Sequence, residues 1–600
     1  MEKEGVHATR DEGKAAAKQL SEKARTELAG FPLTLKTRDD LGLVLRVPAY
    51  AQDPRVGEEN PRLKIIDFEV NWRPGITDGP TSARVAIVDY DADEGKLHAP
   101  AVWNKDTLHF EYPAGKVLDK TSYQSYQFHQ VSVWATIESA LALYEHPFAL
   151  GRSIPWGFAG NRLIITPHAG YAENACYDRA TKSLQFYYCG PPDNRVYTCL
   201  SHDIVAHETG HAILDGIRPL YNEVASAETA AFHEFVADLT QLLCTLRNNP
   251  VRHEVKGDLS SADFLVKLGE ELAEFISAER GASIRTLTEK LNLADIQTGD
   301  SPHRLSQVLT NALFQIMAKR ETGYWKERGN TKKEALWDTT RRIIQVGLQP
   351  LDYCPPVDIR FADYAAALLY CHELQDPRDE HAYLPQMHQV LEERGVTCPV
   401  APARELVDKL APKLKGVNFF EMATSRVAIY RFLHEHRQAL DIPPAEDLVV
   451  LEPYLSNKIG REGDNLPREL VVQYLWREPV LLEGKQYGTL KGERVSLSCG
   501  GTLVFDEIGH LRYASLKPGA QVVSAKQKQS ADEGEQRRAE LTKHLAALAE
   551  QDAIAFADET PFGHRGAGMQ AIARRDAQGL RLETAPRLHP GREATPWRLE

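Results

Sequence analysis

The feature that most constrains this chain is the pentapeptide His207-Glu208-Thr209-Gly210-His211. On an α-helix, positions i and i+4 face the same side. The two imidazoles therefore leave one helix in one direction, spaced to share a single metal ion. Glu208 stands beside them, placed to reach a metal-bound water without ligating the metal itself. Ile204, Val205, Ala212, Ile213 and Leu214 give the same helix an apolar body.

Zinc suits two imidazoles of this kind. A catalytic zinc site takes three protein ligands and keeps one position open, and the metal lowers the pKa of a bound water to about 7, within reach of a carboxylate base such as Glu208. The third ligand must come from elsewhere. A third histidine in the pattern HExxHxxGxxH would need Gly at 214 and His at 217, where the chain has Leu214 and Ile217. A carboxylate from the following helix is the second option. In Glu228-Thr-Ala-Ala-Phe-His-Glu234-Phe-Val-Ala-Asp238, Glu234 and Asp238 share one face, while Phe232, Phe235, Val236 and Leu239 cover others. Glu234 as ligand and Asp238 as hydrogen-bond partner of a ligand imidazole would account for an acidic pair on an apolar helix. His233 is the third option and ranks lower, because it points about 100° away from the Glu234 face.

The stretches Val205–Asp215 and Glu228–Asp238 together resemble the thermolysin-like gluzincin metallopeptidases. The resemblance runs over roughly residues 125–396 and implies a zincin fold of α+β class, with a β-rich upper part and a helical lower part. It implies an endopeptidase with one catalytic zinc ion held by His207, His211 and Glu234, and Glu208 as base. Upstream, Glu173-Asn-Ala-Cys-Tyr-Asp178 looks like the family's edge strand, so Asn174 and the Ala175 backbone would hold the substrate. Downstream, Asp300-Ser-Pro-His303 resembles the family segment in which the histidine stabilises the transition state and the acid orients its ring. Arg285 matches the arginine that grips a substrate carbonyl, and Tyr221 the active-site tyrosine. The acidic residues of the family's calcium sites are missing, with Thr245 at one such place, so no structural calcium is expected.

Six hundred residues exceed one core. The pattern divides into a charged arm (1–28), a β-rich N-terminal region (29–126), a zinc-binding α/β subdomain (127–256), a helical subdomain (257–396), a C-terminal β-rich region (397–525), and a charged helix with a flexible tail (526–600). Helices are expected at 127–145, 201–217, 227–247, 262–278, 303–319, 332–347, 361–373, 382–394, 419–438 and 526–552.

A net charge of −13 argues against a nucleic-acid surface. No apolar run reaches the length of a membrane span, and the N-terminus has no signal-peptide core. Eight cysteines without a CxxC pair read as reduced thiols. The expected partner is a peptide or protein substrate in the cytoplasm, with no membrane. The N-terminal β unit or the C-terminal β-rich region is expected to restrain access to the cleft. A zinc aminopeptidase is the nearest alternative, although a Gly-x-Met-Glu-Asn motif is missing. A catalytically silent zincin-fold scaffold is the other.

Overall fold

The computed structural model describes residues 44–557 and 570–584, apart from residues 74, 257, 278, 281, 298–299, 328–330, 399–401, 461–464, 522–527 and 577–578. The expected arm at 1–28 lies outside the described residues, as does most of the expected tail. Helices and strands are mixed throughout.

Strands β1 (Val44–Tyr50) and β2 (Ile65–Asn71) form an antiparallel hairpin in which Leu45 faces Val70 and Val47 faces Phe68. These four residues are buried, and the hairpin packs on helix α1 (Tyr126–Glu145). Every residue of α1 from Phe128 to Tyr144 is buried, as expected of a helix enclosed on all sides. A four-stranded sheet follows, built from β3 (Val85–Ile87), β4 (Leu163–Thr166), β5 (Ala175–Asp178) and β6 (Ser183–Phe186). Its order is β3-β4-β6-β5. Strand β5 is thus an edge, and it lies against helix α2 (His202–Ile217).

Helix α2 is buried along its whole length and packs closely on α3 (Ala227–Arg247). Gly210 permits this approach: a Cβ there would meet Thr240 Oγ1 at 2.7 Å and the Ala237 Cα at 2.8 Å. Beyond α3 lie α4 (Pro302–Glu327), α5 (Lys332–Leu348) and α6 (Phe361–Gln375). The helix expected over 262–278 is instead two short helices, Asp263–Val266 and Glu270–Ser277, separated by the strand Lys267–Leu268. Gly269 has φ +61°, a left-handed conformation that breaks a helix. The freed strand pairs with Arg285–Thr286, which fixes the position of Arg285.

One apolar core runs from Leu45 to Cys398 and takes in Val471, Val504 and Tyr513 from the C-terminal sheet. A second, from Leu410 to Leu582, is built on β7 (Tyr454–Ser456), β8 (Glu469–Leu481), β9 (Arg494–Asp506) and β10 (Leu511–Lys517). The helix expected over 419–438 is interrupted after Met422 and restarts at Arg426, capped by Ser425. Helix α7 (Lys528–Glu550) is charged outside yet inserts Leu541, Leu545 and Leu548 into the second core. Part of the expected flexible tail is ordered: Ala571–Asp576 and Gly579–Thr584 pair antiparallel and bury Ala571, Ala573, Leu580 and Leu582. None of the eight cysteines is in a disulfide, and no described helix is long and apolar enough to cross a membrane.

Candidate metal centre

Helices α2, α3 and α4 and the strand Arg285–Thr286 converge on one buried polar cluster. His207 and His211 leave α2 together, with ring centroids 4.9 Å apart. From α3, Glu234 inserts its carboxylate between them, Oε2 3.4 Å from His207 Nε2 and Oε1 3.7 Å from His211 Nε2. The two imidazoles have no solvent-exposed side-chain surface and Glu234 has 3%. Burial acts to raise the Glu234 carboxyl, but His303 and His211 outweigh it and hold it well below the usual carboxylate range.

The surroundings select the chemical form of the ligands. Arg285 Nη2 lies 3.1 Å from His207 Nε2, and a guanidinium can only donate. For that contact to be a hydrogen bond, His207 Nε2 has to carry its lone pair, whereas the Glu234 carboxylate at 3.4 Å favours a proton there. His207 Nδ1 lies 3.1 Å from Asp238 Oδ1, outside hydrogen-bonding geometry, in the place where a carboxylate can orient a ligand imidazole. Thr310 Oγ1 of α4 in turn donates to Asp238 Oδ2. Both ring nitrogens of His211 are buried without a hydrogen bond. Such an orphaned imidazole is costly without a partner. Two imidazoles and the Glu234 carboxylate form a donor set that fits a metal ion; the donor atoms that lie within 4.8 Å of one another are those of His207, His211 and Glu208 rather than Glu234.

Glu208 has no exposure. Burial pushes its carboxyl up to about 8. Its Oε2 accepts the main-chain N–H of Tyr177 in edge strand β5 at 3.0 Å, while Oε1 is buried without a partner. Tyr177 was not singled out in the sequence, although it lies two residues beyond Ala175 and so on the same side of the strand.

The remaining candidates divide. His303, in the first turn of α4, places Nδ1 2.7 Å from Glu234 Oε2 and keeps 16% side-chain exposure, the most open member of the cluster. Arg285 is not a rim residue waiting for a carbonyl. It is 5% exposed and its Nη1 contacts Glu234 Oε2 at 3.1 Å, Asp238 Oδ1 at 3.3 Å and His303 Nδ1 at 3.2 Å. Asn174 and Ala175 lie at the start of β5, where the Asn174 side chain accepts the Ala175 N–H. Asp300 does not orient His303: its carboxylate accepts the Gln297 N–H at 2.9 Å and pairs with Arg304 at 3.3 Å. Tyr221 is also elsewhere. It is fully buried, packs its ring on Phe232, and donates its hydroxyl to Pro355 O at 2.6 Å. His233 is buried, with its ring 5.8 Å from that of His211.

No family model matches the chain, and no curated protein matches it. Among solved structures it is similar to one titled as the precursor of protealysin, a metalloproteinase from Serratia proteamaculans, at 15% sequence identity and a TM-score of 0.34. That match covers 53% of this chain and 89% of the other.

Proposed function

We propose that this chain is a zinc-dependent peptidase, with His207, His211 and Glu234 as metal ligands and Glu208 as general base, on a thermolysin-like α+β core. The observation that carries this reading is the Glu234 carboxylate lying between His207 Nε2 and His211 Nε2 at 3.4 and 3.7 Å. Two imidazoles and one carboxylate make the three-ligand set of a catalytic zinc site. When bound, zinc supplies an acidified water and polarises the substrate carbonyl.

The side chains supply the rest. Glu208 takes the proton of the attacking water and passes it to the leaving amine. Asp238, beside Nδ1, favours the His207 tautomer whose Nε2 carries the lone pair; Arg285, 3.1 Å from that nitrogen, has to turn away for it to ligate. His303, held through Nδ1 by Glu234, offers its other ring nitrogen to the developing oxyanion. The edge strand β5, with Asn174 and Ala175, would add an extended peptide through main-chain hydrogen bonds once the Asn174 side chain releases the Ala175 N–H.

The test is a comparison of wild type with Glu208→Gln on a mixed peptide library, with zinc measured in both. Loss of cleavage with zinc retained supports the proposal; full cleavage by the zinc-loaded variant overturns it. Blocked and free-ended peptides separate endopeptidase from aminopeptidase action. A silent zinc-binding module is the second reading, and it is favoured by the complete burial of His207, Glu208 and His211. One zinc per wild-type chain without cleavage of any library peptide would establish it.

A further inference from the structure

A second cluster of ligand-type side chains lies apart from this centre and plays no part in the proposed reaction. His129 on α1, His168 just after β4, and Cys199 just before α2 are each no more than 1% exposed. One donor atom from each lies within 4.8 Å of the other two. Cys199 Sγ is 4.0 Å from His168 Nε2, and His129 Nδ1 is 2.9 Å from the same nitrogen.

The partners on the far side of each ring decide what these atoms carry. His129 Nε2 lies 3.1 Å from the Tyr123 carbonyl oxygen, a contact that requires an N–H. His168 Nδ1 lies 2.7 Å from Asp89 Oδ1. Asp89 accepts a further hydrogen bond from Gln130 through Oδ2, as an ionised carboxylate does. Both outward nitrogens are therefore protonated. The inward ones, His129 Nδ1 and His168 Nε2, are left as two lone pairs facing each other in a buried site. Something positive must lie between them, either a shared proton or a metal ion. A carboxylate or a carbonyl behind each ring is the arrangement that sets imidazoles for metal binding, and a shared proton gives Cys199 no role.

We infer that His129, His168 and Cys199 hold a second metal ion, a borderline-soft divalent cation of the zinc class. Two imidazoles and a thiolate suit such an ion. On binding, the Cys199 thiol releases its proton and the sulfur bonds the metal; any proton shared by the two imidazoles leaves as well. His98, buried with Nε2 free of hydrogen bonds, flanks the site with its ring 5.4 Å from that of His168. The three ligands come from α1, the sheet, and the turn that opens into α2. The ion would thus fix the approach to the helix that carries His207 and His211, as a structural metal.

The experiment is cobalt loading of the full-length chain, read by metal analysis and by the near-ultraviolet thiolate-to-cobalt charge-transfer band. The wild type is expected to hold two cobalt ions per chain and to show the band. A His207→Ala/His211→Ala variant is expected to keep one ion and the whole band, and Cys199→Ser to lose one ion and the band. If Cys199→Ser fails to fold, the wild-type spectrum still decides. Two ions, or one, without a thiolate band overturn the inference, as does a band that survives Cys199→Ser. A single ion that carries the band upholds this site and removes the catalytic metal instead.

Discussion

The main-chain N–H of Tyr177 donates to Glu208 Oε2 at 3.0 Å, tying the edge strand β5 to the helix that carries the two histidines. One carboxylate oxygen is thereby held and the other, Oε1, is buried without a partner. Glutamine at 208 keeps the shape and can still accept the Tyr177 N–H, but it cannot take a proton. Glu208→Gln is therefore expected to lower kcat by about 10²–10⁴-fold, the range for a lost general base, with zinc content unchanged. Steady-state kinetics with metal analysis checks this. A fall below tenfold would remove Glu208 from the base role.

Asp238 contacts His207 Nδ1 at 3.1 Å and Arg285 at 3.3 Å. Removing a carboxylate behind a ligand imidazole weakens metal binding by about 10–100-fold. Asp238→Asn retains an acceptor and should fall near the lower end of that range. Asp238→Ala leaves His207 Nδ1 and Arg285 without this partner and should fall near the upper end. Zinc competition against a chromophoric chelator measures both. Equal affinity in wild type and Asp238→Ala would show that the contact does not support the ligand.

Gly210 separates the ligand histidines in sequence and faces the Ala237 backbone on α3. A methyl group there has to push α3 outward, and Glu234 travels with it. Overpacking of this kind costs about 1–3 kcal/mol. Gly210→Ala should lower the denaturation midpoint and weaken zinc binding together, because one displacement causes both. A variant with wild-type stability and weakened zinc binding would contradict this coupling.

The helical half of the site could be read from the sequence because it is local. The His207/His211 and Glu234/Asp238 pairs both follow helical spacing, and both lie on the helices expected for them. Residues that reach the centre through tertiary placement were harder to read. Residues 262–278 have an apolar periodicity that suits one helix, yet left-handed Gly269 splits it and makes the short strand that positions Arg285. Tyr221 follows the motif at a plausible distance, but its hydroxyl finds the Pro355 carbonyl from far along the chain. His129, His168 and Cys199 are separated by 39 and 31 residues, too far apart for any local ligand pattern. They meet only because α1, the sheet and the turn before α2 pack together.

The two cores are joined by a buried ionic contact whose pH response can be worked out. Asp352 accepts a hydrogen bond from Arg152 at 2.8 Å and lies 3.1 Å from Lys458 Nζ. Lys458 precedes β8 in the C-terminal unit and is itself buried. Burial acts to raise the Asp352 carboxyl, but Lys458, Arg152 and Arg218 outweigh it and hold it well below the usual range. A depressed folded-state pKa gives stability that is present above the unfolded value, about 3.9 for Asp, and is lost as pH falls through the folded value. Asp352→Asn leaves Arg152 buried without its countercharge and Lys458 with only Glu469, 3.9 Å away; breaking a buried pair costs about 3–5 kcal/mol. At neutral pH the variant should therefore unfold at a lower urea concentration, with release of the C-terminal unit reported by the buried Trp476. Below about pH 4 the wild type begins to lose its advantage, so the two midpoints should draw progressively closer as pH falls further. A gap that stays constant from pH 7 down to pH 3 would mean that Asp352 acts through packing rather than through its charge.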